Sequence, residues 1–131
     1  MPLAIPARSV PRGLAAPAAV PIGPPLPTDE PERLATLHAL QLLDTPPEER
    51  FDRITRIARR CFDLPMAMIG LIDRDRQWFK SGVGLALPEL PRAVAPCAHA
   101  IVGPDILVVP DTWGDARFAA NPLVIGEPRL R

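Results

Sequence analysis

Two cysteines, Cys61 and Cys97, are too few for a disulfide framework in this 131-residue chain. No secretory signal accompanies them, so the expected setting is a reducing cytoplasm with both thiols free. Charge of one sign is equally short: fifteen basic and fifteen acidic residues cancel, which removes nucleic acid and an anionic membrane as expected partners. No apolar run is long enough to span a bilayer, and near the N-terminus proline and arginine interrupt every run before it reaches the length of a signal-peptide core. A glycine-rich phosphate loop, a Ser-His-Asp set in strand-turn-helix context and a kinase or cyclase catalytic motif are all missing. The sequence therefore offers no catalytic residue, no metal-ligand set and no indication of a cofactor.

What is present fits one domain with appendages, at an ordinary 47% apolar content. Residues 1–28 form a leader in which Pro2, Pro6, Pro11, Pro17, Pro21, Pro24, Pro25 and Pro27 block helix and strand ladders, and disorder is expected there. Residues 29–44 read as an amphipathic connecting helix: Asp29 can cap it, Pro31 suits its first turn, and Leu34, Leu37, Leu40, Leu42 and Leu43 recur at helical steps. That leucine face packs either on its own domain or against a second copy through Leu34, Leu37 and Leu40. His38 is expected in solvent. Thr45 and Glu48 have capping-box spacing ahead of a second helix with Phe51, Ile54, Ala58, Cys61 and Phe62 on one side, where Cys61 reads as a small buried hydrophobe.

The organising stretch is Met66–Lys80. Met66 to Ile72 is apolar at odd and even positions, which predicts a central strand covered on both faces. Asp73-Arg74-Asp75-Arg76 is a charged turn, read as solubility and local pairing, and Gln77-Trp78-Phe79 opens the second strand of a hairpin. Closely spaced prolines make 83–96 a loop. Cys97-Ala98-His99-Ala100-Ile101 opens a short helix after Pro96, where a thiol gains nucleophilicity. Ile106-Leu107-Val108-Val109 reads as a third strand, 111–115 as a turn, and 116–120 as a helical piece capped by Asp115 and ended by Asn121-Pro122.

The run RLATLHALQLLDTPPEERFDRITRIARRCFDLPMAMIGLIDRDRQWFKSGVGL, followed by PRAVAPCAHAI, LVVPDTWGDARFAANPLV and GEPRLR, resembles the first part of a GAF domain, in the version found in bacterial sensor histidine kinases and cyclic-di-GMP enzymes. The resemblance covers Arg33 to Arg131. It implies an α/β (α+β) profilin-like sandwich, an antiparallel sheet flanked by helices, over residues 45–131. It also implies a fold incomplete at the C-terminus, lacking a last strand beside Met66–Ile72 and a terminal helix. An open edge there would make the piece unstable or aggregation-prone.

The ligand-pocket candidates are Trp78, Cys97, His99, Trp113 and Phe118. The resemblance puts Trp113 and Phe118 at one end of the pocket; the alternative is that they anchor the core, and that His99 is a polar rim residue. The family's free methionine sulfoxide reductases begin the corresponding helix with a catalytic cysteine, but no second cysteine lies between Gly82 and Cys97 to resolve a disulfide. Cys97 and His99 point about 200° apart on a helix and do not form a pair. Cys97-Ala98-His99 also does not match the cysteine-histidine arrangement of bilin-binding members, and no cyclic-nucleotide signature can be assembled. The expected function is therefore a non-catalytic sensory and regulatory domain of a cytoplasmic signalling protein. It would bind an unidentified small molecule or sense redox state, and modulate a histidine kinase or cyclic-di-GMP output domain. A reductase using Cys97 and a purely dimerising module are the alternatives.

Overall fold

The computed structural model describes residues 23–131; most of the leader expected over 1–28 lies outside them, and 23–27 take no regular structure. The order is α1 (Glu30–Ala39), α2 (Glu49–Cys61), β1 (Ala67–Ile72), β2 (Arg76–Val83), β3 (Glu89–Pro91), a 3-10 turn (Arg92–Val94), α3 (Cys97–Ala100) and α4 (Pro122–Ile125). Helices beside a three-stranded antiparallel sheet give the α/β class implied by the resemblance.

The hairpin forms as expected. Asp73 N–H donates to Arg76 O at 2.8 Å and closes its turn. The β1–β2 register shifts between Ile69 and Gly70, so Ser81 faces Ile69, Phe79 faces Gly70, and Lys80 is the extra bulged residue. The expectation of a central, doubly covered strand is corrected. Among the described residues β1 ends the sheet order β1-β2-β3, the open edge that the resemblance implied, and the correction lies in its coverage: of its six residues only Ile72 is buried. Two-sided hydrophobicity reports what a strand tolerates, whereas coverage needs a neighbouring element.

One core face gathers Ile72, Leu90, Val94, Ala95, Ala98 and Leu123, with Phe79, Ile101 and Leu130 against it. Burial of such side chains contributes roughly 1.5–3 kcal/mol each for the larger ones. α2 lies on the other face, and its buried side differs from the expected one. Phe51, Asp52, Thr55 and Ala58 turn inward, whereas Ile54, Phe62 and Cys61 are exposed. The reason is polar: Thr55 Oγ1 lies 3.0 Å from Ser81 Oγ, which donates to Asp52 Oδ1 at 2.6 Å, and these bonds fix the helix rotation that periodicity alone misplaced.

α1 stops at Ala39, short of Asp44, because Gln41 and Asp44 adopt left-handed φ of 51° and 58°. Of the three leucines offered for a second copy, Leu34 and Leu37 are buried within the chain and Leu40 is exposed. The expected caps fail too. Asp29 makes no side-chain cap bond, and Thr45 Oγ1 donates to Leu42 O and accepts from Lys80 instead of capping α2. Within the expected 83–96 loop, β3 pairs with Arg76–Trp78; Pro91 is tolerated because it ends the strand. The expected strand at 106–109 is irregular, with Ile106 91% and Val108 73% exposed. Among the described residues it has no pairing partner, and β-propensity without a ladder makes no strand. Residues 116–120 form turns rather than a helix, and Asn121 Oδ1 accepts from Leu123 N–H to start α4, which the sequence had not suggested.

Candidate functional site

A recess opens beside the bulge that displaces Lys80. An open groove of about 940 Å³ runs between the α1–α2 connector (Asp44, Thr45, Pro47), α2 (Asp52, Thr55, Arg56), β2 from Trp78 to Val83, and the segment Leu85–Glu89. β3 pairs with β2 only up to Trp78, and beyond the Phe79 N–H to Pro88 O bond at 3.0 Å the chain swings away from β2. That divergence leaves the space.

Ionic contacts fix the walls. Lys80 has a fully buried side chain. Its ammonium reaches Thr45 Oγ1 at 2.6 Å, Pro46 O at 2.8 Å and Glu48 at 2.6 Å, so the bulged lysine ties the connector to the sheet. Arg76 sits between Asp44 (2.7 Å) and Glu89 (2.6 Å), both on the groove wall, with Asp73 at 3.6 Å. Asp73 in turn accepts from His38 of α1 at 2.8 Å. Burial pushes the Asp73 carboxyl up, but hydrogen bonds from His38 and the Arg74 N–H outweigh it and leave the group below the usual range. The charged hairpin tip is thus a long-range junction and not merely local pairing.

The same junction locks α1. Glu30 pairs with Arg33 at 2.7 Å and with Arg92, Arg33 donates to Ile72 O at 2.6 Å, and Arg92 reaches Asp73 O and Arg74 O at 3.1 and 3.3 Å. The Arg33 guanidinium, then that of Arg92, hold Glu30 down to about 2.

The five sequence candidates are not brought to one place. Trp78 lines the groove. His99 and Phe118 meet elsewhere, edge to face with ring centres 5.0 Å apart, and Arg117 lies 5.0 Å over the Phe118 ring. Phe118 is 1% exposed, which matches the core-anchor alternative. Burial, then the Arg117 charge, pushes the His99 imidazole below its usual value. Cys97 is exposed at the start of α3, and Trp113 is half exposed under Arg131. The sequence reading missed Asp44, Asp52, Lys80, Ser81 and Glu89, since polar residues in strands and connectors carry no periodic signal. The one hint was a lysine inside an otherwise aromatic and small-residue strand.

A family model described as GAF domain matches residues 46–131. A cyclic di-GMP phosphodiesterase of Pseudomonas aeruginosa is 42% identical over 108 residues, covering 82% of this chain and 18% of that protein. The chain therefore spans about a fifth of the length of the curated relative it matches.

Proposed function

The chain belongs to the GAF domain family, and on that footing we propose that it is the sensory, regulatory part of a larger cytoplasmic signalling protein. A small molecule held in the groove alters how α1 packs, and α1 passes the change to an output domain that turns over cyclic di-GMP. The chain itself performs no chemical step.

The observation that carries this reading is the chain of contacts from groove to helix. Asp44 and Glu89 line the groove and clamp Arg76; Arg76 approaches Asp73; Asp73 holds His38 on α1. An occupant that draws on either carboxylate changes the load on Arg76 and so the seating of α1. Such an occupant acts only through its differential affinity for docked and released α1, and a coupling of about 1–3 kcal/mol is typical of regulatory domains. The match to 18% of a phosphodiesterase supports a module within a multidomain enzyme and favours a cyclic di-GMP output over a histidine kinase.

Hydrogen exchange across Glu30–Ala39, with and without a bound ligand, tests the coupling: protection is expected to change by about five-fold or more. Unchanged protection under saturating ligand overturns it. For the output, a cyclic di-GMP synthase or phosphodiesterase domain is expected in the parent reading frame, and an unrelated domain there overturns that part.

A further inference from the structure

Among the described residues, the cations lining the groove, Lys80 and Arg56, and Arg76 beside it each already hold a carboxylate. The three ammonium protons of Lys80 go to Thr45, Pro46 O and Glu48. Arg76 is shared by Asp44 and Glu89, and both terminal nitrogens of Arg56 hold Glu49. A phosphate or carboxylate entering here would compete with these carboxylates, at little cost for the exposed Arg56–Glu49 pair and at the greatest cost for the buried lysine.

Negative charge is distributed the other way. Asp52 forms no ion pair among the described residues; its Oδ1 accepts only the Ser81 hydroxyl, at 2.6 Å. Trp78, with Leu85, Leu87 and Pro88, supplies an aromatic and apolar wall to the same recess. A carboxylate that forms no ion pair among the described residues and feels Arg56 only through space, inside a groove with Trp78 on its wall, suits a positively charged head with an apolar body. The head gains charge-assisted hydrogen bonds to the carboxylate and the attraction of a ring face, and the body covers the wall.

We propose that the groove is the site of an organic cation, an ammonium or guanidinium compound with an apolar body, with Asp52 as its counter-ion and Trp78 as its platform. The proposal rests on the sensory reading above and specifies the chemistry of the ligand. It also separates the sensed molecule from an anionic cyclic dinucleotide, which would meet only cations already paired with carboxylates among the described residues.

The full chain carrying Trp113→Phe leaves Trp78 as its sole tryptophan reporter. Phenethylamine and 3-phenylpropionate serve as probes of nearly identical shape and opposite charge. Saturable quenching or enhancement of Trp78 is expected with the amine, at least about ten-fold weaker with the carboxylate, because one ion pair is worth roughly a factor of ten. Asp52→Asn, which keeps an oxygen for Ser81, should weaken the amine by a similar factor with an unchanged circular dichroism spectrum. Equal response to both probes, or no saturable amine signal up to about 10 mM, past the range expected of so small a fragment, overturns the assignment without any need of the variant. Hydrogen exchange on α1 in the same titration separates the two ideas. Amine binding with unchanged α1 protection upholds the groove chemistry and refutes the coupling. Absence of amine binding refutes the groove chemistry and leaves the sensory reading to a different ligand.

Discussion

Replacing Glu30 with alanine should release α1 from the hairpin. The carboxylate accepts from Arg33 Nε and Nη2 at 2.7 and 2.8 Å and from Arg92 Nη1. Arg92 is 6% exposed, and its Nη2 already has no partner among the described residues. Without Glu30 its charge would rest on two backbone carbonyls at 3.1 and 3.3 Å. Stripping one partner from a fully buried pair costs about 3–5 kcal/mol; the solvent reaching the Glu30 side chain, 13% exposed, reduces the expected loss to about 2–3 kcal/mol. In urea, with a slope of about 1–3 kcal/mol per molar, that is a midpoint shift of roughly 0.7–3 M, accompanied by loss of exchange protection across α1. The pH dependence has a defined sign. A carboxyl held down to about 2 when folded, against an ordinary 4.5, contributes stability that is present above about pH 4.5 and lost as pH falls toward 2. The midpoint difference between the unmodified chain and Glu30→Gln should therefore shrink over that window and stay flat from pH 5 to 7. A loss below about 0.5 kcal/mol, the level of an ordinary surface change, or a difference that grows on acidification, refutes the lock.

Other perturbations report on separate features. Lys80→Met removes the tie between the sheet and the connector, leaving Thr45 and Pro46 O unserved; a loss of about 2–4 kcal/mol is expected by denaturant titration, and a neutral result would show that the bulged lysine is not holding the groove wall. Gly84→Ala places a methyl 2.2 Å from Pro65 O at a φ of 83°, so at least about 1 kcal/mol should be lost. In thermal melts an unshifted midpoint for this variant would contradict the backbone described at the end of β2. Ile106→Ser, at a side chain 91% exposed, should change stability by less than about 0.5 kcal/mol; a larger loss would mean that 106–109 packs as a strand after all.

The hairpin was legible because a continuous apolar run, aromatic content and an Asp-rich turn are local signals, and each acts within a few residues. α3 was legible for the same reason, from Pro96 onward. The rotation of α2 was not. Ile54, Cys61 and Phe62 suggested one buried side, but the hydroxyl and carboxylate bonds among Asp52, Thr55 and Ser81 turned another inward. These partners are 26 and 29 residues apart along the chain, a separation at which spacing carries no information. Of the site candidates, Trp78 was recognised as an aromatic at a strand start, and the structure puts it on the groove wall. The connector residue Asp44 looked like part of a helix end and became a wall only when Arg76 reached it across 32 residues.

Sequence alone determined the hairpin, the short helix after Pro96, the family resemblance and the lack of a net charge to steer nucleic acid, since these depend on residue order, composition and short-range sterics. Tertiary structure alone decided which face of each element is covered, where α1 is locked and which ionisable groups are already paired. Those outcomes depend on distances between residues remote in the chain. A lysine, an arginine or an aspartate is the same letter whether its charge is engaged or free. Only the three-dimensional pairing shows that Lys80, Arg76 and Arg56 are occupied and that Asp52 lacks a cationic partner among the described residues.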